Sequence, residues 1–203
     1  MQKFLLSLFL AVAMAPVANS ENHLTELNID ESFRAAVKLV ESKQYIDAIS
    51  IFTVLAEQEI PEAQFNLSLL LFNGLGAPKN YKDSLSWAWK AHLNEHEAAL
   101  GQVNVILDLV TPELQNTVAE QLIEEFTELA RAGDQMATVK LGMTYTDLLV
   151  EPNNLDAYTW LSIGQAYGIE KASSLLTEVT DLLTIEEILV QQDAAARIFS
   201  ELR

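Results

Sequence analysis

The sequence has no cysteine and little glycine or proline, and these absences narrow both its chemistry and its fold. Its 203 residues include 7 glycines and 5 prolines. Without cysteine, disulfide bonds, thiol catalysis and thiolate zinc sites are excluded. Four prolines, Pro61, Pro78, Pro112 and Pro152, fall at expected helix starts or in loops, where proline is tolerated. Helices can therefore occupy most of the chain.

Basic residues are also scarce. The chain has 12 lysines and arginines against 29 aspartates and glutamates, a formal net charge of −17. Such a surface repels duplex nucleic acid and anionic lipid, and no basic patch offsets it. A solvated acidic surface that aids solubility is the simplest interpretation, and a cationic partner is the alternative.

The one extended apolar run lies at the N-terminus. Lys3 precedes an almost wholly apolar segment from Phe4 to Ala15, and Ala18-Asn19-Ser20 is the small-residue pattern that signal peptidase recognises. The run is shorter than the roughly 20 residues that a membrane-spanning helix needs. We expect residues 1–20 to be a signal peptide cleaved between Ser20 and Glu21, which directs a protein with no integral membrane segment to the periplasm. Residues 21–30 are expected to be a loose lead.

Apolar residues after this lead recur at helical spacing, and no stretch shows sustained two-residue alternation. Residues that can cap a helix precede the periodic runs, namely Asp30, Asn80, Thr111, Asn153 and Thr184. The sequence Thr184-Ile185-Glu186-Glu187 predicts a complete capping box. Together these signals predict an all-α fold with helices at about 31–42, 45–58, 61–72, 80–93, 97–110, 112–131, 135–148, 154–167, 169–183 and 184–202.

The chain also repeats itself, because residues 80–129 align with residues 153–202 without a gap. The matched residues of the first copy are Asn80, Asp83, Trp87, Glu97, Ala99, Asp108, Leu109, Thr111, Glu113, Phe126, Glu128 and Leu129. A fixed period of this kind predicts stacked helical hairpins, none of which buries its apolar face alone. We expect one repeat domain over 31–203, with modules at about 61–133 and 134–203.

Residues 63–91 resemble a Sel-1-like repeat, a relative of the tetratricopeptide repeat. The matching positions are Ala63, Asn66, Leu67, Gly74, Gly76, Trp87, Lys90 and Ala91, and a second copy resembles the pattern at Ala137, Leu141, Gly142, Tyr145, Ala157 and Trp160. Ser68 and Ser84 stand where the family has glycine and alanine, and 147–152 replaces the Gly-x-Gly loop. The resemblance implies an α-solenoid of antiparallel hairpins and an adaptor role, with no fixed ligand and no cofactor. Trp87 and Trp160 are expected to fill the space between hairpins.

His92-Leu93-Asn94-Glu95-His96 matches the His-x-x-Glu-His pattern of inverted zinc proteases. On one continuous helix the two imidazoles would share a face. The repeat register instead ends the helix near His92 and places 94–96 in a turn, so the rings need not converge. We therefore predict no catalytic residue and no metal site, and keep a histidine-containing, metal-dependent hydrolase as an alternative.

Trp89 falls where the repeat register has an outward, charged residue. Either it makes an extra contact with the next hairpin, or it anchors a partner, since tryptophan is enriched at binding hot spots. First-helix positions that would line a concave groove complete the predicted partner-binding set: Phe65, Asn66, Asn104, Lys140 and Thr144.

The sequence thus predicts an exported repeat protein that acts as a scaffold or adaptor and binds a protein or peptide on its solenoid surface. The alternatives are an envelope structural or stress component that acts by oligomerising, and the hydrolase named above.

Overall fold

A computed structural model describes the backbone of residues 18–202 and the side chains from Asn28 onward. The described residues form α-helices and no strand. The helices are α1 (Ala18–Glu41), α2 (Tyr45–Glu57), α3 (Pro61–Asn73), α4 (Tyr81–Leu93), α5 (Ala99–Leu107), α6 (Pro112–Arg131), α7 (Ala137–Met143), α8 (Asn154–Ala166), α9 (Glu170–Thr180) and α10 (Ile185–Glu201). Residues Thr144–Leu148 continue α7 as one turn of π-helix, which we call the π-turn. Most consecutive helices pack against each other, but α6 packs on α4 and α7, and α10 packs on α8, rather than on the helix that precedes each of them. The fold is the all-α solenoid that the sequence predicts.

Four of the predicted caps are confirmed. The Asn80 and Asn153 side chains each accept a hydrogen bond from the backbone N–H three residues on, and Thr111 accepts from Leu114 N. Thr184 and Glu187 form the capping box in both directions, because each side chain bonds the other's backbone N–H. Local side-chain chemistry therefore sets the starts of α4, α6, α8 and α10.

The predicted first helix is wrong at its start. Helix α1 begins at Ala18, so 21–30 is helical rather than a loose lead, and Asp30 lies inside the helix instead of capping it. No glycine or proline occurs in Ala18–Glu41 to break the backbone. The proposed signal peptide falls mainly on residues 1–17, which lie outside the described residues.

The core consists of two apolar clusters. The smaller joins α1, α2 and α3 around Phe52, which is fully buried. The larger extends from α4 to α10 and contains Trp89, Phe126 and Trp160. Trp160 is 8 % exposed, whereas its repeat counterpart Trp87 is half-buried against the smaller cluster, with the Lys90 ammonium 4.8 Å from its ring centroid.

Small residues bring the helices of each hairpin close together, as predicted for Ala63, Ala91 and Ala137, all fully buried. At Gly142 a Cβ atom would lie 2.5 Å from Leu161 side-chain carbons. In the loop after α3, Gly76 has a φ of +82° and a Cβ there would lie 2.6 Å from the Tyr45 backbone. Both positions require glycine for space, and Gly76 also for conformation.

Within residues 18–202, no helix combines the length and the apolar character needed to cross a bilayer.

Candidate functional site

Trp89 lies in the core and not on a surface. It is 1 % exposed, and its indole Nε1 donates to Thr144 Oγ1 at 3.0 Å. Thr144, also fully buried, donates in turn to Lys140 O at 2.7 Å. Trp89 thus makes an extra contact between hairpins, with the π-turn that follows α7 rather than with the next hairpin, and Trp89 and Thr144 are too buried to touch a partner directly in this fold. The repeat register placed Trp89 on the outside because it assumed that no other helix covers this position.

Lys140 is buried as well, which removes it from the predicted groove. Its side chain is 7 % exposed, and Nζ donates to Glu59 Oε1 in the turn between α2 and α3. The ammonium also lies 5.9 Å from the centroid of the Phe126 ring. Lys140 therefore joins α7 to the N-terminal helices and compensates its own buried charge.

The remaining predicted binding residues, Phe65, Asn66 and Asn104, have different surroundings. The Phe65 ring stacks on His96 with centroids 4.2 Å apart, and Asn66 donates to the Glu62 carbonyl of its own helix. Asn104 is exposed on α5. Their role in binding stays a prediction.

The two histidines of the protease-like pattern lie on either side of a helix end. Helix α4 ends at Leu93, and Glu95 adopts a φ of +68°, so the chain turns before His96. His92 packs at 5.2 Å against the Trp89 ring, whereas His96 packs on Phe65. No group of three or more histidine or carboxylate side chains suited to a metal ion occurs among the described residues.

A pocket lies beside the π-turn, where sequence analysis predicted no site. We call it the π-turn pocket; its volume is about 250 Å³. Its lining residues are Gly142, Met143, Thr146, Asp147, Pro152, Asn154, Leu161, Leu175, Glu178, Val179 and Leu182. Pockets for drug-sized ligands have about 300–1,000 Å³, so this one is suited to a side chain.

The π-turn shapes this pocket because it widens the end of α7. Leu149 N donates to Thr144 O five residues back, and Asn153 N donates to Tyr145 O at 2.9 Å. Leu148, fully buried, fixes the turn to the core. π-Helical turns inside α-helices are frequent at functional sites. The widened turn contains Asp147, which lines the pocket.

The floor of the pocket is apolar and its charged rim is acidic. Met143, Leu161 and Val179 are buried, whereas Asp147 and Glu178 are exposed at the edge. No lysine or arginine is among the lining residues. The pocket therefore combines an apolar cavity with two carboxylates, a pattern that suits an apolar group next to a positive charge.

The charges near the pocket influence one another. Desolvation raises the pKa of Asp147 and the neighbouring Glu178 raises it further, while the Thr146 hydroxyl and His92 lower it. Burial lowers the pKa of His92, as does Lys171, and Asp147 opposes both. Lys171 also donates to Glu95 Oε1 at 3.1 Å. The end of α4, the π-turn and α9 are thus electrostatically coupled.

One sequence signal points to this pocket. The second repeat lacks the Gly-x-Gly loop and has 147–152 in its place, with one residue of difference in length. The differing segment adjoins the pocket, because Asp147 and Pro152 line it. The sequence could not show that Asp147 would lie near Glu178, because they are separated by α8.

No family model matches the sequence, and no curated protein matches it. Solved structures do resemble it. A Sel1 repeat protein from Oxalobacter formigenes is 20 % identical over 86 % of this chain and 75 % of that chain, with a TM-score of 0.40. A protective antigen of uropathogenic Escherichia coli strains that displays an SLR fold is 17 % identical over 85 % of this chain, with a TM-score of 0.35. This match spans 45 % of that protein's chain. The chain is therefore similar to these two solved repeat proteins.

Proposed function

We propose that this chain is an exported, non-catalytic repeat scaffold that binds a protein or peptide partner at the π-turn pocket. The observation that carries the proposal is the apolar cavity between the π-turn and α9, with Asp147 and Glu178 at its rim. The partner would insert an apolar side chain that has a lysine or arginine beside it.

The apolar part of this interaction comes from Met143, Leu175 and Val179. Met143 is unbranched and adapts to side chains of different shape, as methionines do at many binding surfaces. Burying one leucine side chain contributes about 1.5–3 kcal/mol before the costs of association. A single pocket of this size therefore gives weak binding, and a scaffold would add contacts elsewhere.

The acidic rim supplies orientation and a preference for cationic partners. Asp147 is partly desolvated, so its carboxylate has lost some of the water that would compete with a partner's charge. The net charge of −17 adds a long-range attraction for basic partners, which weakens as salt screens it.

Export is part of the proposal and rests on the sequence of residues 1–20 alone. Expression of the full chain in a bacterial host, followed by fractionation and N-terminal sequencing, tests it. We expect a periplasmic product that begins at Glu21. A cytoplasmic product that begins at Met1 or Gln2 would contradict export.

A short peptide tests the pocket. The probe is acetyl-Gly-Lys-Leu-Lys-Gly-amide, and a matched peptide carries glutamate in place of both lysines. Binding is followed by methyl chemical shifts. We expect the lysine peptide to shift Leu175 and Val179, and the glutamate peptide to have no effect.

Two double variants with equal loss of charge make the test specific. Asp147→Asn with Glu178→Gln should weaken binding about threefold to tenfold, as expected for two solvent-accessible ion pairs. Glu120→Gln with Glu124→Gln, exposed on α6, should leave it unchanged. Equal losses in both doubles would show that net charge and not the pocket attracts the peptide, and the proposal would fail.

A further inference from the structure

Helix α10 has an exposed stripe beside the face that packs on α8. Ile185, Leu189, Gln192 and Ala196 follow one another at spacings of four, three and four residues, which places them on one face of a helix. Ile185 and Leu189 are 62 % and 56 % exposed, and Gln192 and Ala196 are also exposed. The adjoining side of α10 packs on α8 and contains the buried Ala195, and Gln192 Nε2, at the edge of the stripe, donates to Tyr158 OH on α8 at 3.3 Å.

The internal repeat identifies the same stripe on α6. The 73-residue offset of the two copies aligns the four α10 positions with Pro112, Asn116, Ala119 and Ile123. There the stripe is largely covered, because Ala119 is fully buried and Asn116 and Ile123 are half-buried.

The elements that cover α6 are α7 and the chain that follows it. Both α7 and the π-turn pack on α6. Asn116 Oδ1 accepts a hydrogen bond from Val150 N at 3.0 Å, and Gln115 Nε2 donates to Leu148 O at 2.8 Å. The face of α6 that corresponds to the α10 stripe therefore serves as a docking surface for a helix within this chain.

We propose that the stripe Ile185–Leu189–Gln192–Ala196 docks an amphipathic helix of a partner protein, in the position that α7 and the π-turn occupy on α6. Leu189 stands where α6 has Asn116, so docking on α10 gains apolar area in place of a hydrogen bond. Ala196 stands where α6 has Ile123, and the smaller side chain lets a helix approach closely. This surface is additional to the π-turn pocket.

The charges around the stripe define the partner. Glu186, Asp193 and Arg197 each follow a stripe residue by one position and border the same side of it, so two carboxylates and one guanidinium line that side. A helix with lysine or arginine opposite the two carboxylates complements this border. A second copy of the chain is disfavoured as the occupant, because each copy has a net charge of −17 and the copies repel.

The test uses the full-length mature protein and a labelled synthetic helix of about 15 residues, or four turns. The probe has leucine and alanine at one stripe of positions and lysine beside them, and a control peptide carries glutamate for lysine. Fluorescence anisotropy should show binding of the lysine helix and none of the glutamate helix.

Two variants of exposed leucines make the test local. Leu189→Asn introduces the residue type that α6 has at the equivalent position, Asn116. It should weaken binding about tenfold, as expected for the loss of a central apolar contact. Leu109→Asn is the matched control, since Leu109 is 54 % exposed on the first repeat copy. It should leave binding unchanged. Circular dichroism should show equal helix content in both variants.

The outcomes separate this inference from the proposed function. Asp147→Asn with Glu178→Gln should weaken binding of the pocket peptide and spare the helix. Absence of helix binding, or equal binding to Leu189→Asn, overturns the inference. Sedimentation that shows concentration-dependent self-association of the wild type, lost in Leu189→Asn, also overturns it, because the occupant would then be a second copy.

Discussion

The hairpins α3–α4 and α7–α8 are equivalent units of the repeat, yet their helices approach each other through different chemistry. In α3–α4, Ser68 Oγ donates to Ser84 O at 2.8 Å and Ser84 Oγ donates to Ser68 O at 2.9 Å. In α7–α8, Gly142 leaves room for the Leu161 side chain and Ala157 is fully buried. Close packing is thus the shared requirement, and either hydrogen-bonded serines or small apolar residues satisfy it.

The two units also end their first helices differently. Helix α3 ends at Gly74, a left-handed C-cap with a φ of +71°. Helix α7 widens into the π-turn and has no glycine cap. The glycine loop returns the chain to the stack, whereas the π-turn opens a pocket. The second unit therefore combines stacking with the π-turn pocket, the proposed binding site.

The largest expected effect comes from Trp89, which the second unit replaces with the half-buried Ser162. Trp89→Ala removes a fully buried indole and leaves Thr144 Oγ1 without its donor. We expect it to lower the free energy of unfolding by about 3–5 kcal/mol. Urea unfolding measures this, with Ser162→Ala as the control, for which we expect a small change. A loss below that of Ser162→Ala would show that Trp89 is not part of the core.

Gly142→Ala should have the next largest effect. Its Cβ would lie 2.5 Å from Leu161 carbons, and such overpacking costs about 1–3 kcal/mol. Gly101→Ala in α5 is the matched control, because a Cβ there meets no atom within 4 Å. Alanine has the higher helix propensity, so Gly101→Ala should stabilise the protein. Thermal unfolding distinguishes the two signs, and stabilisation by both variants would contradict close packing at Gly142.

The serine pair should contribute less. Ser68→Ala removes one of two reciprocal hydrogen bonds, at about 1 kcal/mol. The double variant Ser68→Ala with Ser84→Ala makes the first unit more like the second, which has Ala157 at the position of Ser84. A double-mutant cycle on the unfolding free energy should give a nonzero coupling. Strict additivity would show that the Oγ atoms, 3.1 Å apart, do not interact.

The smallest effect is a change in the titration of His92. Its pKa is lowered by burial and by Lys171 and raised by Asp147. Asp147→Asn should therefore lower it further, and Lys171→Met should raise it. Imidazole NMR titrations follow both shifts, and equal titration curves in all three proteins would contradict the arrangement of α4, the π-turn and α9.

His92 and Asp147 also affect stability with opposite signs. As pH falls from the ordinary histidine pKa to the lowered one, the unfolded state binds more protons, so His92 reduces stability. As pH falls from the raised Asp147 pKa to the ordinary carboxyl pKa, the folded state binds more protons, so Asp147 increases stability.

Much of the fold could be predicted from local patterns. Nine of the ten predicted helices begin within two residues of the predicted start. Five of these starts, those of α3, α4, α6, α8 and α10, have a capping side chain or a proline in the first turn, and such signals act locally. The start of α1 could not be found this way, since Asp30 is a preferred N-cap residue and yet lies in the interior of α1. The candidate site was missed because Asp147 and Glu178 meet only after α8 folds between them.

The sequence by itself determined the helices, their caps, the repeat and the small residues at the hairpin crossings, since each depends on neighbours within a few residues or on a period. Only the tertiary structure decided that Trp89, Lys140 and Thr144 are buried while the stripe of α10 is exposed. The physical reason is that a helix has several faces. Which face meets another helix and which meets solvent depends on elements far away in the chain. Trp89, for example, is covered by Thr144, which lies 55 residues later.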